Sequence, residues 1–247
     1  MKRYLKYIIM GIVAVTLYTL FFPGKDKEKG KPRDYQTIVE SGILRAVTEY
    51  NSISYFADGD TVSGFHYELL NAFARSKGLT PEIIPEMSFE KRQEGILTGK
   101  YDILANSTIV TSESKDSLLF THPILLNKQV LVQRKPEQEN DSMYIHSQLE
   151  LARKTLHVVK GSPVLLRIHN LSNEIGDTIY IQEVEKYGPE QLLAMVAHGD
   201  IDYTVCDESI AQASINDFPQ LDIKTAISFT PVSYTHLRAH ETCADLV

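Results

Sequence analysis

The chain has 247 residues, enough for one large or two small domains. Its 43% hydrophobic and 23% charged content is that of an ordinary globular protein, which argues against a fibrous or disordered chain. A formal net charge of −7 argues against a nucleic-acid surface, and two cysteines, Cys206 and Cys243, indicate no disulfide framework.

The N-terminus is a targeting signal. Lys2, Arg3 and Lys6 precede an uncharged apolar run from Tyr7 to Phe22, shorter than the ~20 residues that span a bilayer comfortably. Neither a small-x-small cleavage site nor a cysteine for lipid attachment follows the run. An uncleaved signal anchor over residues 1–24 is therefore expected, ahead of a cleaved signal. Lysines follow the run as well as precede it, so charge alone does not set orientation. Residues 25–34 read as a solvated tether.

Tyr35–Ser41 predicts a short helix closed by Gly42, followed by a strand over Ile43–Thr48. Glu49–Ser63 reads as a long loop with Asp-Gly turn chemistry at Asp58–Gly59. Phe65, Leu69, Leu70, Phe73 and Ala74 recur at helical spacing, and Gly78 ends that helix. A short strand is expected at Glu82–Ile84, then a helix capped by Ser88. Leu118–Thr121 and Gln129–Gln133 look extended, and Arg134–Asp141 is the most linker-like internal stretch. Beyond it come a helix at Ser147–Arg153, a strand at Leu156–Val159 and a helix opened by Gly161-Ser162-Pro163. A strand at Ile179–Gln182, a helix at Ile210–Ile215 and a strand at Leu221–Ile227 complete the pattern. Such alternation implies parallel sheets with right-handed crossovers.

One pattern occurs twice. In ILTGKYDILANS (Ile96–Ser107) and again in MVAHGDIDYTVCDES (Met195–Ser209), a helix closes on glycine, a strand follows, and the strand ends on polar residues. Gly99 corresponds to Gly199 and Asp102 to Asp202. Asn106–Ser107 fall where Cys206–Asp207 fall. Two similar α/β halves are expected, with both polar tips facing one cleft, because ligands bind beyond the carboxyl ends of strands in open α/β sheets. Asp102 and Asp202 sit at the opposite strand ends, where turn-and-cap duty is expected rather than acid–base chemistry.

Gly64–Phe65 before a helix, GKYDILANSTIVTSES, FTHPI, LVQRKP, VVKGSP and GDIDYTVCDES occur in this order. The order resembles family 3 periplasmic solute-binding proteins across roughly Ile43–Phe229. The stretch from LSNEIGDTIYIQEVEKYG to GDIDYTVCDESIA is similar to the regulatory domain of membrane-bound lytic transglycosylases of the F type. The resemblance implies a two-lobed, periplasmic-binding-protein-like (type II) α/β fold with hinge-linked parallel and mixed sheets, preceded by an N-terminal membrane helix. Residues 35–232 would form the solute-binding domain. Lobe 1 would comprise about 35–130 plus 226–232, and lobe 2 about 134–225, joined near Leu131–Arg134 and Ala226–Pro231.

Two departures from the resembled pattern stand out. Where amino-acid-binding members read T-P-E-R, this chain reads Thr111-Ser112-Glu113-Ser114. Ser114 thus replaces an arginine that would hold a ligand carboxylate, and neighbouring Lys115 offers only a point charge. The other departure is Ser233–Val247, SYTHLRAHETCADLV, which resembles a translated adapter and is expected to be a non-native tail that leaves the first lobe unfinished.

The resemblance implies ligand contacts from Tyr50, Asn51, Ser54 and Tyr55 on the first loop, from Asn106, Ser107, Thr108 and Ser114, and from Gly161, Ser162 and Asp207. The bland alternatives are packing for the aromatics, a plain helix cap for Ser162, and capping of the next helix for Asp207. A helix start at Gly161–Ser162 suits an anion, and Asp207 would receive a ligand ammonium. No cofactor and no metal are expected: His236 and His240 stand four apart, but a third ligand is lacking. No catalytic arrangement is compelling, so the chain as given is not expected to be an enzyme. The implied function is a membrane-anchored periplasmic sensor for an amino acid, peptide or muropeptide, as the regulatory part of a peptidoglycan-cleaving transglycosylase. Its bulk would lie in the periplasm, with the inner membrane and peptidoglycan as further partners. The alternative is a transport-associated solute receptor for amino acids.

Overall fold

The computed structural model describes residues 32–108, 115–116, 118–136, 138 and 141–237, by backbone alone at 107–108, 125–127 and 229–237. The expected membrane segment lies outside these residues. Among the described residues, no helix is long and apolar enough to cross a membrane.

The first lobe is built on strand β1 (Ile43–Thr48), flanked in parallel by β4 (Thr80–Pro85) and β5 (Ile103–Thr108). Leu44 and Ala46 pack with Ile38, Leu70 and Ala74 of helices α1 (Tyr35–Ser41) and α2 (Phe65–Ser76). Val47 packs instead with Ile96 of α3 (Phe89–Leu97), as the alternation of side chains along a strand requires. β4 extends beyond the expected Glu82–Ile84 and takes in Pro81 and Pro85. It can do so because it is the edge of the sheet, where a missing N–H costs no ladder bond. The expected long loop is partly a hairpin: β2 (Phe56–Asp58) pairs antiparallel with β3 (Thr61–Ser63) around Gly59-Asp60.

Asp102 and Asp202 each meet an arginine. Asp102 accepts from Arg45 Nη2 at 2.8 Å and from Arg33 Nε at 3.0 Å, and its side chain is 1% exposed. Asp202 accepts from Arg134 Nη2 at 2.8 Å at a half-exposed site. In both places the same guanidinium also binds a carbonyl of the preceding helix end or turn: Gly99 for Arg45, Val196 and Ile201 for Arg134. Arg33 and Asp34, which read as tether, are thus part of the folded lobe, Asp34 capping α1 at Thr37 N.

In the second lobe, β8 (Thr155–Val159) lies between β9 (Tyr180–Val184) and β10 (Thr204–Asp207), parallel to both. β7 (Leu125–Arg134) adds an antiparallel strand beside β10. Leu131, Leu156, Val158 and Val205 face α4 (Val164–Ile175), while Val130, Val132 and Cys206 face α5 (Pro189–His198) and α6 (Glu208–Ser214). Both faces of this sheet are covered, which is why its strands are apolar on both sides. Ser147–Arg153 forms only a short 3-10 turn at Gln148–Leu151. Leu221–Ile227 splits into β11 (Leu221–Asp222) and the start of β12 (Ala226–Leu237), both paired to β7.

The lobes are joined by β7 and β12, which run antiparallel from Leu125↔Val232 to Lys128↔Phe229. β7 already pairs with β10 at Gln129, so the crossing lies upstream of the expected Leu131–Arg134. Ser233–Leu237 continues β12 into the first lobe, pairing with β5 and with β6 (Leu118–Phe120). The first lobe therefore has a returning strand where an unfinished edge was expected. The pairing uses backbone N–H and C=O groups, which any residue but proline supplies, so it does not depend on the origin of these residues. His236 lies on this strand, and His240 lies outside the described residues. Among the described residues, no group of three or more His, Cys, Asp or Glu could hold a metal.

Candidate binding cleft between the lobes

A cleft of about 730 Å³, open mouth included, separates the lobes at the carboxyl ends of their strands. Glu49, Tyr50, Met87, Phe89, Arg92 and Asn106 line it from the first lobe. Ser162, Pro163, Val164, Gly188, Pro189, Asp207 and Ile210 line it from the second, with Gln129 on the joining strand β7. The lobes touch around it. Ser52 N donates to Glu190 Oε1 at 2.8 Å, and a Cβ on Gly188 would come within 2.9 Å of the Met87 methyl. Gly161 faces Phe89 and Glu90 in the same way, with a Cβ–Glu90 distance of 3.5 Å.

The cleft brings together four of the expected site residues: Tyr50, Asn106, Ser162 and Asp207. Asn106 is buried on β5 and Asp207 closes β10, so the two ends of the repeated pattern do face one cavity. Asp207 makes no side-chain cap to α6, the alternative duty the sequence allowed. Ser162 both lines the cleft and accepts from Val164 N at 3.4 Å. Ser107 and Thr108 continue β5, with their side chains outside the description, and Ser114 lies outside the described residues.

Four expected contacts serve the scaffold instead. Asn51 is 1% exposed, and its Oδ1 accepts from Ile53 N and Ser54 N at 3.0 and 2.7 Å, an Asx turn that shapes the loop. Ser54 is buried and donates to Glu49 Oε1 at 3.3 Å. Tyr55 stacks edge-on against Tyr67 of α2, 5.5 Å between centroids, and stands 6.3 Å from Tyr50. Gly161 spends its N–H on Glu183 Oε2 at 3.0 Å, within its own lobe.

Sequence reasoning missed Glu49 and Arg92. Arg92 sits in α3 and reads as one more charge on a polar helix, yet it is only 4% exposed. Its Nη1 donates to Glu86 O at 2.5 Å and Met87 O at 3.0 Å, Nη2 lies 3.7 Å from Glu49 Oε2, and the Phe89 ring lies 5.7 Å from the guanidinium carbon. Burial lowers its proton affinity below the ordinary arginine value, against the pull of Glu49 and Glu86. Beneath it, His66 Nδ1 is 3.2 Å from Thr48 Oγ1, and burial lowers the imidazole pKa. Cys206 also borders the cleft, where burial and then Asp207 push its thiol pKa up and disfavour the thiolate.

The model of the bacterial extracellular solute-binding proteins, family 3, matches residues 44–175, more than half of the chain. The chain belongs to this family. Family 3 membership accounts for the two lobes and for the position of the cleft. The membrane-bound lytic murein transglycosylase F of Photobacterium profundum is 26% identical over 223 residues, 89% of this chain and 41% of that protein. The protein of the same name from Alcanivorax borkumensis is 31% identical over 181 residues, 72% of this chain and 37% of its own length. The chain thus spans about two fifths of these relatives. Among solved structures, the arginine-bound truncated ArgBP from T. maritima superposes with a TM-score of 0.70 at 22% identity, covering 82% of this chain and 92% of that one. An amino acid ABC transporter substrate-binding protein, AbpA from Streptococcus pneumoniae, bound to L-arginine, gives 0.68 at 20% identity, covering 83% and 85%. At these identities the likeness concerns the fold.

Proposed function

We propose that this family 3 domain is a periplasmic sensor, held at the inner membrane by its N-terminal segment, that binds an amino-acid-like or muropeptide ligand between its lobes. It would serve as the regulatory part of a peptidoglycan-cleaving transglycosylase. The observation that carries this reading is the cleft itself, with Asp207 at the end of β10 and Glu49 and Arg92 opposite, and with the lobes in contact around it. A ligand touching both lobes favours the closed arrangement by its differential contacts. The relatives named as transglycosylase F support the regulatory role, and their name supports the membrane and cell-wall setting. A transport-associated amino-acid receptor is the second reading, favoured by the transporter-linked structural neighbour.

Calorimetry of the full chain with muropeptides and free amino acids tests the ligand: tight muropeptide binding supports the sensor over the receptor, whereas binding of free amino acids alone fits either and removes the muropeptide. Asp207→Asn is expected to weaken an ammonium-bearing ligand about 10–100-fold, the equivalent of one charge-assisted hydrogen bond. Unchanged affinity in that variant would remove Asp207 from the site. Fractionation that finds the chain soluble and starting after Pro23 would remove the anchor.

A further inference from the structure

Among the described residues that line the cleft, Arg92 is the one cation, and one edge of its guanidinium meets no protein acceptor at hydrogen-bond length. Nη1 is committed to the carbonyls of Glu86 and Met87. Among the described residues, Nε is buried without a hydrogen-bond partner, and Glu49 stands 3.7 Å from Nη2, beyond hydrogen-bond length. Nε–H and the outer Nη2–H point the same way, and their spacing matches the two oxygens of a carboxylate. A buried donor of a charged group left unpaired is costly, and a ligand oxygen on this edge would relieve that cost.

We infer that Arg92 holds the ligand's carboxylate on its Nε–Nη2 edge, in place of the arginine whose position Ser114 occupies. The role has moved from the sequence position of Ser114 to the first turn of α3. The ligand class that follows is a zwitterion or peptide with a free carboxylate, its anionic end on Arg92 in the first lobe and its ammonium on Asp207 in the second. Such a ligand pins both lobes at once. Glu49, 3.7 Å from Nη2, balances the buried guanidinium without making a hydrogen bond to it. The inference rests on the reading that the cleft holds the ligand.

The test is a cycle on the full chain by calorimetry, using the L-amino acids and soluble muropeptides as probes, each against its C-terminal amide. For any probe that binds, the acid is expected to bind about 10–100-fold more tightly than the amide in the wild type, and the two to come within about threefold in Arg92→Gln. An arginine that merely supports the Glu86–Met87 turn would weaken acid and amide alike and leave their ratio unchanged. Arg92→Lys, which keeps the charge but not the fork, should retain an intermediate preference, and it carries the test if the glutamine variant does not fold. Equal binding of acid and amide by the wild type, or a preference unaltered in both variants, overturns the assignment while leaving the cleft as the binding site. Failure of every probe to bind overturns the cleft reading together with it.

Discussion

Replacing Asp102 by alanine is expected to destabilise the chain by about 3 kcal/mol, the low end for breaking a buried ion pair. The loss strands two guanidiniums, Arg33 and Arg45, whose side chains are only 17% and 28% exposed. It also removes the acceptor of Arg45 N at 2.7 Å, a tie at the start of the central strand β1. The equivalent change in the second lobe, Asp202→Ala, should cost no more than about 1 kcal/mol, because that pair is half in water and screened. Arg134 would still hold the carbonyls of Val196 and Ile201. Denaturant midpoints at constant slope give both values.

The same aspartate predicts an acid dependence. Burial by itself raises the Asp102 carboxyl pKa, but the Arg33 and Arg45 guanidiniums and the Arg45 N–H outweigh it and hold the carboxyl below its usual range. A depressed folded-state value means that the contribution is complete above the unfolded pKa of about 3.9 and is lost as pH falls further, through the folded value. The stability gap between the wild type and Asp102→Asn should therefore be full at neutral pH and shrink below about pH 4. A gap that stays constant to lower pH would show that the carboxylate charge is not what matters here.

Gly64→Ala is the second large effect, and it joins fold to function. Gly64 has φ 132, and a Cβ there would lie 2.5 Å from Ser54 O and 2.8 Å from Tyr55 N, both backbone atoms that cannot swing aside. Phe65 N and Tyr67 N donate to Ile53 O and Ser54 O at 2.6 and 3.1 Å, so the loop is clamped to the first turn of α2. Relief requires that clamp to open, at roughly 2–5 kcal/mol for overpacking and backbone strain together. The loop carries Tyr50 into the cleft, so ligand affinity should fall with stability. Gly42→Ala is the control: φ is 67 and nothing lies within 4 Å, so only the left-handed backbone penalty of about 1–2 kcal/mol applies. Equal losses in the two variants would show that the contact with Ser54 is not what requires glycine at Gly64.

The local elements were legible in the sequence because their causes are local. Gly42 and Gly199 close helices in the left-handed conformation, Ser88 caps α3, and β1 spans Ile43–Thr48 as its apolar run implies. The repeated glycine, strand and polar tip placed Asn106 and Asp207 at one cleft, since strand direction follows from the α/β alternation. What only the tertiary structure decided depends on residues far apart in the chain. Arg33 reads as tether until it meets Asp102, 69 residues on. Pro81 and Pro85 argue against a strand until β4 proves to be an edge. Asn51 and Ser54 have the chemistry of ligand contacts, but neighbouring backbone had already taken the Asn51 side-chain oxygen and Glu49 the Ser54 hydroxyl. Arg92 carries no signal in sequence, because a charged residue on a helix is ordinarily solvated. It becomes a buried group facing a cavity only when α3, the turn at Glu86–Met87 and the second lobe close around it, and burial, unlike helix periodicity, is a property of the assembled fold.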